Sequence, residues 1–119
     1  MALTKTRTSI WSGTSQTAGS TTTSSAQDLS TYYGSALHIR ITNGATGPTV
    51  AGQVLIEASA DNSAWWDLGG ALVGGTANSG VYEWTVIVPI EIKYVRLYGS
   101  GNTGQTITLD ADILSITAL

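Results

Sequence analysis

From Ser35 to Asn43 the chain alternates without a fault. Leu37, Ile39 and Ile41 fall on one phase, and His38, Arg40 and Thr42 on the other. A period of two belongs to a strand with one buried face; a helix would scatter those apolar residues around its circumference. The pattern recurs. In Val50–Ala60, Val54, Ile56 and Ala58 oppose Leu55, Glu57 and Ser59. In Val81–Val88, Tyr82, Trp84, Val86 and Val88 oppose Val81, Glu83, Thr85 and Ile87. In Ile92–Tyr98, Val95 and Leu97 oppose Tyr94, Arg96 and Tyr98. Trp65–Leu68 is a short strand, and its adjacent tryptophans must point to opposite faces, so one is expected in the core. The last strand, Thr106–Thr117, starts on the phase of Ile107, Leu109, Ala111 and Ile113, then shifts to Leu114 and Ile116. A β-bulge near Ile113–Leu114 would restore a single inward face.

These six strands are separated by turn chemistry: Gly44–Pro48, Ala60–Ser63, Gly69-Gly70, Gly74-Gly75 and Gly99–Gly104. Further strands around Thr6–Trp11 and near Gln27–Tyr33 bring the total to seven or eight. The expected fold class is all-β, an antiparallel β-sandwich of jelly-roll or Ig-like type, with a closed barrel as the competing arrangement.

At 119 residues the chain has room for one core. Residues 1–31 read as a Ser/Thr-rich N-terminal arm or first strand, and residues 32–119 as the sandwich domain. Ser12–Thr31 has Asp28 as its only charge and few apolar residues, so it cannot build a core alone. It is expected to be a docking arm that orders against a partner, anchored by Ile10 and Trp11. On that reading, removal of residues 1–24 leaves a folded domain.

Only 11% of the residues are charged, against about 25% in ordinary soluble proteins. Such a surface repels neighbours weakly and suits a subunit whose faces end up against others. Four Trp, five Tyr and no Phe give every aromatic ring a polar handle, the type favoured at contacts. The net charge of −3, with five Lys and Arg residues scattered along the chain, gives no basic stripe, so no nucleic-acid partner is expected. No apolar run approaches ~20 residues, and none is expected to meet a membrane.

The chemistry-bearing residues are few. Cysteine is absent and His38 is the sole histidine, so no thiolate, Cys-ligated zinc or histidine cluster can form. Asp110 and Asp112 lie about 7 Å apart along one strand, which reads as a polar face more readily than as a hydrolytic pair drawn from two walls of a cleft. Asp61, Asn62 and Asp67 do not match a calcium loop. No Gly-x-Ser-x-Gly elbow occurs. No catalytic residue, metal or cofactor is therefore expected. The candidate site is an interface: Tyr94, Arg96 and Tyr98 share one phase of a strand, and an arginine between tyrosines can stack while its fork pairs with a neighbour's carboxylate.

The stretch Val54–Gly70, in which a strand ending Ser59-Ala60-Asp61-Asn62 is followed by Trp65-Trp66-Asp67-Leu68, resembles segments of β-sandwich modules. Discoidin-like carbohydrate-binding domains have it, as do small structural proteins of tailed bacteriophages. The Ser/Thr-rich opening, Ile41–Pro48, Lys93–Leu97 and the Gly101–Gly104 loop are similar to short phage virion proteins, the head decoration (cement) proteins among them. The resemblance implies a non-enzymatic protein made in the host cytoplasm and found on the capsid exterior. It implies a major capsid protein or another virion protein as partner, and a homo-oligomer, a trimer above all. A tail or baseplate component and a carbohydrate-binding module are the alternatives.

Overall fold

In the computed structural model, which describes residues 2–119, the alternating segments become ten strands. They are β1 (Thr4–Gln16), β2 (Thr22–Thr23), β3 (Gln27–Asp28), β4 (Ser35–Asn43), β5 (Gln53–Ser59), β6 (Trp66–Asp67), β7 (Leu72–Val73), β8 (Val81–Val88), β9 (Tyr94–Ser100) and β10 (Ile107–Ala118). One sheet has the order β1-β10-β4-β8. The other is β2-β9-β5-β6, with β3 also on β9 and β7 also on β5. Every pairing is antiparallel. Apart from β5, β6 and β7, which follow one another in one sheet, the chain crosses to the opposite sheet after each strand or pair of short strands, which is the winding of a jelly roll and not of an Ig-like sandwich or a closed barrel.

The inner phases meet where the alternation places them. Leu37, Ile39 and Ile41 of β4 and Leu109, Ala111 and Ile113 of β10 face Val54 and Ile56 of β5 and Val95 and Leu97 of β9, all buried. Burying one such aliphatic side chain contributes roughly 1.5–3 kcal/mol. This layer is what holds the two sheets together.

Three expectations are corrected. β10 has no bulge at Ile113–Leu114: it pairs with β4 without interruption from Ile107↔Asn43 to Ser115↔Ser35, so Leu114 points outward and is 46% exposed. The irregularities lie in the β1–β10 pairing: two put an extra residue in β1, between Ser9 and Trp11 and between Trp11 and Thr14, and one puts Thr117 of β10 out of register, past the end of the β4 ladder. A bulge in the central strand β10 would disrupt a ladder on each side, whereas β1 has a neighbour on one side only. At Gly13 the backbone takes φ 58°, a left-handed conformation that glycine adopts without penalty.

The second correction concerns the docking arm: of the two readings of residues 1–31, arm or first strand, β1 fits the strand. β1 pairs with β10 along most of its length, and Trp11, expected as an anchor for a partner, is 6% exposed within the core. Ile10 is half-buried and packs on the same cluster. The Ser/Thr-rich stretch finds its hydrogen bonds within its own chain. The Ser24 amide donates to the Leu97 carbonyl, the Ser24 hydroxyl accepts from the Leu97 amide, and the Leu29 amide donates to the Lys93 carbonyl. Polar segments need partners for their backbone groups, and here β9 supplies them.

The third correction is that neither Trp65 nor Trp66 enters the core. Trp66 is 47% exposed opposite Ala58 at the sheet edge, and Trp65 lies on the outer face. Leu68, two residues on, packs against the core instead.

Candidate binding face

The outer face of the β2-β9-β5-β6 sheet collects the candidate residues. Alternation along β9 buries Val95 and Leu97 and turns Tyr94, Arg96 and Tyr98 outward, each half-buried. β5 sets Ser59 opposite Tyr94, Glu57 opposite Arg96 and Leu55 opposite Tyr98. The expected strip therefore exists as one continuous row. Its arginine, however, is engaged inside the chain. Arg96 Nε donates to Glu57 Oε1 at 2.8 Å, and its guanidinium lies 4.1 Å from the centroid of a Trp65 ring. Neither tyrosine sandwiches it, and the carboxylate is the protein's own.

Trp65 reaches that position because of the turn before it. The Ser59 hydroxyl, fully buried at the end of β5, accepts from the amides of Asp61 and Asn62 and donates to Asp61 Oδ1. Asp61 Oδ1 in turn accepts from the amides of Ser63 and Ala64 at 2.9 and 3.0 Å. Asn62 sits at φ 62°, which an Asn tolerates better than most residues. The amide of Ala64, then that of Ser63, then the Ser59 hydroxyl hold the Asp61 carboxyl below its usual value of 3.8. Asp61 and Asn62 thus serve the turn, and Asp67 lies opposite Glu57 on β6. Lys93 adds a cation 5.5 Å from the Tyr94 ring centroid. Neither Glu57 nor Trp65 belongs to the row expected from sequence, Tyr94, Arg96 and Tyr98. The signal was there for Glu57, a carboxylate on the polar phase of one strand facing an arginine on the polar phase of another. For Trp65 nothing short of the turn geometry reveals the stack.

The outer face of the other sheet holds a second group of charges. Under the irregular part of β1 lies a recess of about 250 Å³ lined by Arg7, His38, Arg40, Asp110 and Asp112, among others. Arg7 pairs with Asp112 at 3.0 Å and Arg40 with Asp110 at 3.4 Å; Glu83 lies 3.8 Å from Arg40 and 3.5 Å from His38. Asp110 Oδ1 also accepts from the Gly13 amide at 2.8 Å. Both aspartates are occupied by cations and backbone, which does not leave a carboxylate pair poised for hydrolysis. Among the described residues no group of three or more His, Cys, Asp or Glu side chains could hold a metal, and no helix is long and apolar enough to cross a membrane. Towards one end of this face the charges give way to Ala36, Ile87, Leu114 and Ile116, around a shallow apolar recess of about 260 Å³.

With this geometry in hand, the similarities to known proteins can be placed. No protein-family model matches the sequence, and no curated protein is similar to it in sequence. Solved structures share the fold. The SPBc2 prophage-derived protein YomS is 14% identical with a TM-score of 0.57, over 97% of this chain and 96% of that one. A chain of infectious bursal disease virus, Gx strain, is 7% identical with a TM-score of 0.62; it covers 97% of this chain, which spans 32% of the viral one. A carbohydrate-binding module of the β-sandwich superfamily is 14% identical with a TM-score of 0.52, over 92% of this chain and 54% of that one. The fold is thus one that viral structural proteins and carbohydrate-binding modules both use.

Proposed function

We propose that the chain is a non-enzymatic virion structural protein that decorates the outside of a tailed-phage capsid and bridges neighbouring coat subunits. The observation that carries this reading is the match with the prophage-derived protein, in which the same sandwich accounts for nearly all of both chains. The surface supports it. Arginines are tied to carboxylates of the same chain on both outer faces, and half-buried aromatic rings line an open sheet. A protein that binds only the assembled shell stabilises that shell by mass action. The docking face is the row Tyr94, Arg96 and Tyr98 with Trp65.

The test is co-sedimentation of the purified protein with undecorated heads of the phage whose genome encodes it, followed by thermal disruption of the heads. Saturable binding and a raised disruption temperature are expected, both lost with Tyr98→Ala. Heads that neither bind the protein nor gain stability overturn the reading. A second reading, sugar binding, is favoured by the three rings Trp65, Tyr94 and Tyr98 on one face. Glycan-array binding that vanishes in Tyr94→Ala while head binding persists selects it.

A further inference from the structure

The sandwich has four edges, and three of them are interrupted. The pairing of β1 with β10 has three register irregularities, and β1 carries Lys5 and Arg7. Two edges are built from two-residue fragments, β2 with β3 on one and β6 with β7 on the other. Interruptions, bulges and lysines are the usual means by which sheet edges are kept from pairing. β8 has none of these. It runs eight residues beside β4 alone, in unbroken register from Val81↔Thr42 to Val88↔Ser35. Its outward side chains include Val81, 55% exposed, and Ile87, 73% exposed.

The register also identifies which backbone groups are free. The Asn43 amide donates to the Gly80 carbonyl, which sets the phase: positions 82, 84, 86 and 88 are those that exchange hydrogen bonds with β4. The N–H and C=O groups of Val81, Glu83, Thr85 and Ile87 therefore point away from the sheet. We propose that this edge pairs with β8 of a second copy of this chain, antiparallel about a twofold axis at Trp84, joining two four-stranded sheets into one of eight strands. This inference stands apart from the capsid reading.

One register satisfies every position. With Trp84 opposite Trp84 of the partner, Val81 faces the partner's Ile87 and Glu83 faces the partner's Thr85. Each relation is repeated by symmetry, which uses all eight free groups per strand. Apolar then meets apolar on the outer face, and the half-buried Trp84 gains cover on the inner one. A one-residue slip would set inner side chains against outer ones. A two-residue slip in one direction places Glu83 opposite the partner's Glu83. In the other direction it sets Val81 against the partner's Pro89, which has no N–H to give. The twofold pairing closes at two copies, unlike the trimer that the resemblance implies.

The experiment uses the full chain and two substitutions at Thr85, a solvated position beside His38 across β4. Sedimentation equilibrium from micromolar to millimolar should show a monomer of 12.3 kDa passing to twice that mass. Thr85→Glu sets two like-charged pairs with the partner's Glu83 and should raise the dissociation constant roughly tenfold or more. Thr85→Lys, which creates opposite-charge pairs at the same places, should dimerise at least as tightly as the parent. Amide exchange of the unsubstituted protein gives an independent readout: Val81, Glu83, Thr85 and Ile87 should become protected as concentration rises. A monomer at every concentration, a trimer, indifference to Thr85→Glu, or equal weakening by both substitutions overturns the proposal. So does exchange at those four amides that ignores concentration.

Discussion

Arg96 lies over Trp65, its guanidinium carbon 4.1 Å from the ring centroid, while its Nε donates to Glu57 at 2.8 Å. The stack joins a residue in the middle of β9 to one in the turn before β6. A position fixed by a strand therefore sets the orientation of a residue that otherwise belongs to a loop.

Removing the cation should loosen both ends of this arrangement. Arg96→Ala leaves Glu57 facing Asp67 across the strand pair without a counterion. The side chains of Arg96 and Glu57 are 29% and 17% exposed, so solvent screens the pair only in part. A loss of about 1–2 kcal/mol in urea unfolding is expected. Adding Glu57→Ala should cost no more, because the uncompensated carboxylate has gone. Near-ultraviolet circular dichroism of Trp65 should change in the single variant. Strictly additive losses would show that the two residues are not coupled.

How far this arrangement can be read in the sequence depends on where each residue's environment is set. β4 and β8 appear at their observed bounds because their alternation is local and each residue reports its own face. β10 defeated the same logic at Leu114, since the phase shift of its apolar residues does not tell a bulge from an apolar patch on the outside. The Ser/Thr-rich stretch was opaque for a different reason. Its stabilising partners are backbone groups of β9, some 70 residues away, and backbone leaves no mark on composition. Tyr94, Arg96 and Tyr98 were legible as a row, but what they touch was not.

Trp11 tests the status of the first strand. Its side chain is buried between the sheets, and the strand that carries it contributes one complete edge. Trp11→Ala should cost about 3–5 kcal/mol in chemical unfolding, the range for removing a large aromatic from a core. Deleting residues 1–24 should unfold the domain altogether, read as loss of the cooperative transition. A truncated protein that still melts cooperatively would return the segment to the role of a dispensable arm.

Acid should loosen the Asp61 turn before the core yields. The amides of Ala64 and Ser63 and the Ser59 hydroxyl lower the Asp61 pKa, and the hydroxyl and amide of Ser30 do the same at Asp28. Groups with lowered folded-state pKa values add stability that is present above the unfolded value of 3.8 and fades as pH falls through the lower folded value. Carboxyl-carbon NMR should therefore find both aspartates titrating below 3.8. The stability gap between the protein and Asp61→Asn should be constant near neutrality and narrow in acid. A gap that widens on acidification would reverse the sign of the assignment.

The buried pair Gln16 and Asn102 provides the sharpest contrast between two deletions in one contact. Asn102 is fully buried, and its side-chain amide donates to the backbone carbonyls of Gln16 and Gln105 at 3.0 and 2.9 Å. It thereby pins the end of β1 to the loop that leads into β10. Gln16→Ala removes a buried side chain but leaves both backbone carbonyls bonded to Asn102. Asn102→Ala strands the two backbone carbonyls together, in a place water reaches poorly. An unsatisfied buried group costs about 1–3 kcal/mol, so Asn102→Ala should be the more destabilising of the two in urea unfolding. Amide exchange should localise the difference. The Gly19 amide, which donates to the Asn102 carbonyl at 2.9 Å, should lose protection in Asn102→Ala before the amides of β4 do. If Gln16→Ala proved equally costly, the carbonyls freed by losing Asn102 would have to be finding other donors, and the pair would be a contact of convenience and not the clamp that its geometry describes.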